Sequence, residues 1–265
     1  MYAVYALIVF IATTIGAIAG LGGGIIIKPL FDFLGYQDAA TIGVLSAFAV
    51  FTMSFVSIIK QFRKGPIIKL DFVLLMSFGA FMGGLAGDAL FLYTKSVVNN
   101  DALLKMIQAI LLLVTLIVVI SYKIFQDKIV TRKIENYSEV FFVGLGLGII
   151  SIFLGIGGGP LNIVFLGYLF SFEIKETVLY SITMVFFAQL SKLSQIYIKT
   201  HFLGYDLKLI GWICLFALMG GYLGSHINHK VSGVVIDKVY TWTMAVLVVI
   251  TLVNIGIGIG IVLDL

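Results

Sequence analysis

The sequence predicts an all-α polytopic membrane protein with about eight hydrophobic segments in two tandem four-segment repeats. Three observations predict it. Of the 265 residues, 61% are hydrophobic and 11% charged, and the mean hydropathy is +1.15; a soluble domain carries about 25% charged residues. The apolar residues fall in runs of about the 20 residues that cross a bilayer. One unusual stretch, Gly20-Leu21-Gly22-Gly23-Gly24, appears again as Gly155-Ile156-Gly157-Gly158-Gly159, 135 positions later.

The composition also excludes several classes. Almost the whole chain is apolar, so no soluble catalytic domain is left over. A single cysteine, Cys214, rules out an internal disulfide and a multi-cysteine metal site. Net charge +4 comes from Lys and Arg in short loops, as expected beside membrane spans rather than for nucleic acid. The N-terminal Met1-Tyr2-Ala3-Val4-Tyr5 has no basic region and reads as the start of the first span.

The eight segments lie at about residues 3–35, 38–59, 70–93, 102–123, 138–171, 176–198, 207–228 and 236–262. The first and fifth are too long for one plain span, and these two carry the triple glycines. Triple glycine removes side chains and helix preference together. Interruptions are therefore expected at Gly22–Gly24 and Gly157–Gly159. The one long polar connection, from Lys123 to Glu139, divides the chain into a first repeat (1–123), a connecting loop (124–137) and a second repeat (138–265). At the same offset Ser46 meets Ser181, Val50 meets Val185, Phe51 meets Phe186 and Asp71 meets Asp206. Loop charge does not orient the repeats: parallel and inverted arrangements both place eleven Lys/Arg on one side and six on the other. The length of segments one and five favours inverted repeats. The small-xxx-small patterns Gly16/Gly20, Gly79/Gly83/Gly87, Gly144/Gly148, Gly220/Gly224 and Gly256/Gly260 read as helix-packing surfaces, inside the bundle or at a subunit interface.

Two breaks in corresponding halves point to a transporter's binding site. A half-helix starting inside the membrane directs free N–H groups and a positive dipole end at the break. Pro160 stands where a first helical residue would, and there its missing N–H costs nothing. The physical product is an anion site, in which glycine permits close approach. The candidate binding residues are Gly22, Gly23, Gly24, Gly157, Gly158 and Gly159, with Lys28, Ser46, Asn162 and Ser181. Lys28 either faces the site or pairs with Asp32 at an interface. Ser46 and Ser181 are either donors to the ligand or hydroxyls bonded to their own helices. Lys192, near a segment end, is expected to snorkel, and Asp88 either relays protons or sits at a membrane edge. His226 and His229 lack a third ligand, so no metal or other cofactor is expected.

The sequence around Gly20–Leu30, its repeat after Phe153-Leu154 and the eight-segment duplication resemble the TauE/SafE sulfite exporter family, also called the 4-toluene sulfonate uptake permeases. The resemblance covers essentially the whole chain. It implies a multi-pass protein of the cytoplasmic (inner) membrane that acts as a secondary transporter of sulfite, thiosulfate, sulfonates or similar anions. Its expected partners are a small anionic substrate and the lipid bilayer, with protons as candidate coupling ions and a homodimer as the candidate assembly. The chain departs from the family pattern in its second half, where Pro160 follows the glycines and Val164 stands in the place of Pro29. An anion channel, or a transporter of another small anion, is the alternative. An intramembrane enzyme would need a catalytic pair at depth, and the sequence offers none.

Overall fold

A computed structural model describes residues 2–64 and 69–263, and all regular structure among them is helical. Apolar runs in lipid must satisfy their backbone groups internally, which leaves the helix as the natural solution here. The helices are α1 (Tyr2–Ala19), α2 (Gly24–Leu34), α3 (Ala39–Lys64), α4 (Leu70–Val98), α5 (Asp101–Phe125), α6 (Tyr137–Leu154), α7 (Gly159–Phe170), α8 (Ile174–Thr200), α9 (Leu207–Lys230) and α10 (Gly233–Leu263). A short 3-10 turn, Gln126–Lys128, follows α5.

The two overlong segments are each broken. The breaks occupy residues 20–23 and 155–158. Gly24 and Gly159, expected inside the interruptions, are instead the first helical residues of α2 and α7. The reason lies in the dihedrals. Gly20, Gly22 and Gly23 have φ of +74°, and Gly155, Gly157 and Gly158 have φ of +68°, +73° and +91°. This left-handed region is open to glycine and costly for other residues. Gly24 and Gly159 have already left it.

Each break turns the chain back on itself. The Tyr5 and Phe31 rings meet edge-on at 4.4 Å, and a Cβ on Gly23 would lie 3.0 Å from the Ala12 carbonyl oxygen. So α2 returns along α1. Likewise Tyr137, at the start of α6, and Phe170, at the end of α7, both rest on Phe72.

Around these hairpins the long helices pack through glycine. A Cβ on Gly79, Gly83 or Gly87 of α4 would come within 2.3, 2.1 and 2.6 Å of carbonyl oxygens of α6. Gly144 and Gly148 of α6 are as close to Met76 and Ala80 of α4. On the other side, Gly220 and Gly224 of α9 lie against Phe10 and Thr14 of α1. These stripes serve the packing role expected of them. Gly256 and Gly260 face open space instead.

Among the described residues seven helices are long and apolar enough to cross a membrane; α8 is not one of them. Its Ser181, Thr183, Gln189, Ser191 and Lys192 are buried in protein, so its polarity is turned inward. It crosses α3 at the centre, where Phe51 and Phe186 stack at 4.8 Å and 17°. Equivalent contacts recur 135 residues apart. The Tyr2 hydroxyl donates to Asp206 ahead of α9, and the Tyr137 hydroxyl donates to Asp71 at the start of α4.

Candidate functional site

The two breaks meet. A Cβ on Gly22 would be 2.9 Å from the Gly157 oxygen, one on Gly24 2.6 Å from the Ile156 oxygen, and one on Gly159 2.3 Å from the Leu21 oxygen. Backbone touches backbone, which only residues without side chains allow. Both half-helices that start here, α2 and α7, have glycine caps with no side-chain hydrogen bond to their first turn. In the first turns the Gly159 N–H donates to the Gly157 carbonyl at 3.3 Å and the Ile26 N–H to the Gly23 carbonyl at 3.0 Å, so it is backbone and not side chain that meets them. Pro160 sits in the first turn of α7, as its sequence position suggests.

Ser46 and Ser181 hold the breaks together. Ser46 Oγ donates to the Gly155 carbonyl at 3.3 Å, and Ser181 Oγ donates to the Gly20 carbonyl at 2.8 Å. Each hydroxyl thus binds the break in the other half of the chain, rather than its own helix. Both serines are buried, and both hydroxyl protons go to backbone.

The second break carries the richer set of polar groups. Asn162 Nδ2 and Ser151 Oγ lie 3.1 Å from where a Cβ on Gly158 would stand, and Gln189 Nε2 lies 3.4 Å from the same point on Gly157. All three residues are buried, and Ser151 Oγ, Asn162 Oδ1 and Gln189 Oε1 have no hydrogen-bond partner among the described residues. Such unpaired buried groups are costly unless something completes them. At the matching positions of the first half stand Gly16, Ile27 and Ser54. The apolar walls do match: Val50 and Val185 lie 2.9–3.4 Å from where Cβ atoms on the glycines would stand.

Two buried lysines approach this region. Lys28 Nζ donates to Asp32 Oδ2 at 2.7 Å, and its stem lies 3.2 Å from the Cβ position of Gly155. It is paired with Asp32 and deep, only 3% exposed, rather than at an interface. Lys192 corrects its expectation. It does not snorkel; it is 5% exposed, and Nζ donates to the Gly43 carbonyl at 3.2 Å. Asp88 is buried as well, 3.8 Å from Lys199. The likeness of Lys192 to a span-end lysine concealed it, because α8 extends to Thr200.

A bundle of apolar spans with two facing half-helix starts and buried cations defines a polytopic membrane transporter. The chain belongs to the TauE/SafE sulfite exporter family: the family model "Sulfite exporter TauE/SafE" matches residues 5–254. It is similar to the probable membrane transporter protein YunE of Bacillus subtilis (strain 168), 25% identical over 249 residues covering 83% of this chain and 86% of that protein. It is also similar to the probable membrane transporter protein MJ0441 of Methanocaldococcus jannaschii, 28% identical over 237 residues covering 84% and 85%. No solved structure matches the chain.

Proposed function

We propose that the protein is a secondary transporter of a small sulfur-containing oxyanion, such as sulfite or a sulfonate, bound where the two breaks meet. The observation that carries this reading is the contact of two uncapped half-helix starts at Gly22–Gly24 and Gly157–Gly159. Their N–H groups and dipole ends favour negative charge. Asn162, Gln189 and Ser151 add amide and hydroxyl donors at the second break, and Lys28 adds a charge whose effect is large in a low-dielectric surrounding. Ser46 and Ser181 act by positioning the breaks. The family description supplies the preference for sulfur.

We further infer that residues 1–123 and 138–265 are inverted repeats joined by 124–137. The first hairpin opens on the face where α3 begins, and its Tyr2 reaches Asp206 there. The second opens on the face where α4 begins, at Asp71 and Phe72. Between these faces runs α3, 26 residues long, which is about 39 Å of helix. Hairpins entering from opposite faces suit alternating access around one central site.

The test is uptake by liposomes containing purified protein, with labelled sulfite, thiosulfate, a sulfonate and phosphate, with and without a pH gradient. Saturable accumulation of a sulfur anion is expected, lost in Gly23→Val and Gly158→Val protein that inserts normally. Near-normal uptake by both variants would refute the site. Flux that never exceeds equilibration under any imposed gradient would favour a channel.

A further inference from the structure

Apart from the breaks, one small space between α2, α5 and α10 gathers unpaired oxygens. It measures about 10 Å3 and is lined by Lys28, Asp32, Gln108, Thr251 and Asn254 among apolar neighbours. Space of this size suits one water-sized particle. Asp32 Oδ1, Gln108 Oε1, Thr251 Oγ1 and Asn254 Oδ1 are all buried, and none has a hydrogen-bond partner among the described residues. Gln108 is 2% exposed and Thr251 1%. The four residues that carry these atoms come from three helices and line the same space.

Their orientation is fixed. Gln108 Nε2 donates to the Phe153 carbonyl at 2.7 Å, and Asn254 Nδ2 donates to the Pro29 carbonyl at 2.8 Å. Turning either amide over would set oxygen against oxygen. The amide oxygens are therefore held away from those carbonyls, where only a donor or a cation can satisfy them. Asp32 Oδ2 is occupied by Lys28 at 2.7 Å, which leaves Oδ1 for the space.

We propose that Asp32, Gln108, Thr251 and Asn254 form a site for a small monovalent cation of the sodium type. One carboxylate, two amide oxygens and a hydroxyl are hard oxygen ligands. A divalent ion is bound through several carboxylates and waters, whereas this site has one carboxylate beside an ammonium. A water brings two protons and the Thr251 hydroxyl a third to the three obligate acceptors, whereas a cation meets all four oxygens at once without using that hydroxyl. A wider neighbouring cavity of about 190 Å3 is also lined by Asp32, Ala109 and Asn254, together with Asp101 and Lys105.

The site has a consequence for transport, resting on the anion reading above. A cation on Asp32 competes with Lys28 for the same carboxylate. It loosens an ammonium whose stem already lies against Gly155, so cation binding makes Lys28 more available to the anion. Linkage then requires that the anion also tighten cation binding.

The experiment is direct binding of labelled sodium to the purified wild-type chain in nanodiscs, in choline buffer and without any anion substrate, so that its failure leaves the anion reading standing. Saturable binding displaced by sodium chloride but not by choline chloride is expected. Thr251→Val and Gln108→Leu should each weaken it at least about tenfold. Lys28→Met should tighten it, a direction that mere loss of fold does not produce. Absence of saturable sodium binding by folded wild-type protein would overturn the proposal. So would unchanged binding in both weakened variants, or weaker binding in Lys28→Met.

Discussion

Gly24→Ala and Gly159→Ala probe the contact of the two breaks without disturbing backbone conformation, because neither residue has a positive φ. The added methyl would stand 2.6 Å from the Ile156 oxygen in the first case and 2.3 Å from the Leu21 oxygen in the second. Ordinary contact begins at 3.4 Å, so the shortfall is about 0.8 Å and about 1.1 Å. The obstructing atoms are backbone and cannot turn aside. Overpacking of this kind costs about 1–3 kcal/mol. The gain in helix preference of Ala over Gly, at most about 1 kcal/mol, offsets part of it. Gly159→Ala should be the more damaging. The pair should be less than additive by about 0.5 kcal/mol or more, because one separation of the breaks relieves both clashes. The assay is thermal unfolding in detergent, where each kcal/mol corresponds to about 2–4 °C for a chain of this size. Full additivity, or two variants as stable as the parent, would refute the close contact.

Three other perturbations follow from the structure. Lys28→Gln is expected to raise the apparent KM for the anion at unchanged protein level, with Lys28→Arg milder because it keeps the charge but changes its shape; an unchanged KM in Lys28→Gln removes Lys28 from the site. The Tyr2 hydroxyl, then the Leu209 backbone N–H, hold the Asp206 carboxyl below its ordinary value. A depressed folded value stabilises above the ordinary pKa of about 4 and is lost as pH falls through the folded value, so Tyr2→Phe should flatten the loss of melting temperature between about pH 5 and pH 3, and an identical acid limb in the two proteins would count against this.

Much of the fold was legible. Hydrophobic runs separated the spans, and paired glycine runs marked the breaks because only glycine tolerates three positive-φ residues in so short a stretch. The offset of 135 matched Ser46 with Ser181 and Asp71 with Asp206, and their contacts recur in space. Other features were hidden by physics that sequence order does not carry. Lys192 looked like a span-end lysine, yet α8 is tucked inside the bundle, where hydropathy no longer measures contact with lipid. Gln108 and Asn254 each interrupt an apolar run as a single polar residue. Only the packing of α2, α5 and α10 shows that both face one space. Ser46 and Ser181 were readable as a pair, but their acceptors lie in the other half of the chain, 109 and 161 residues away.

The central claim is that backbone N–H groups at the start of α2 and α7 hold the anion. Selective glycine 15N labelling of the protein in nanodiscs tests it most directly, by following amide resonances as sulfite is added. The account predicts saturable shifts at Gly24, Gly158 and Gly159, with Gly204 and Gly211, which face open space, unmoved. Saturable sulfite binding that leaves the amides of both breaks where they were would contradict it.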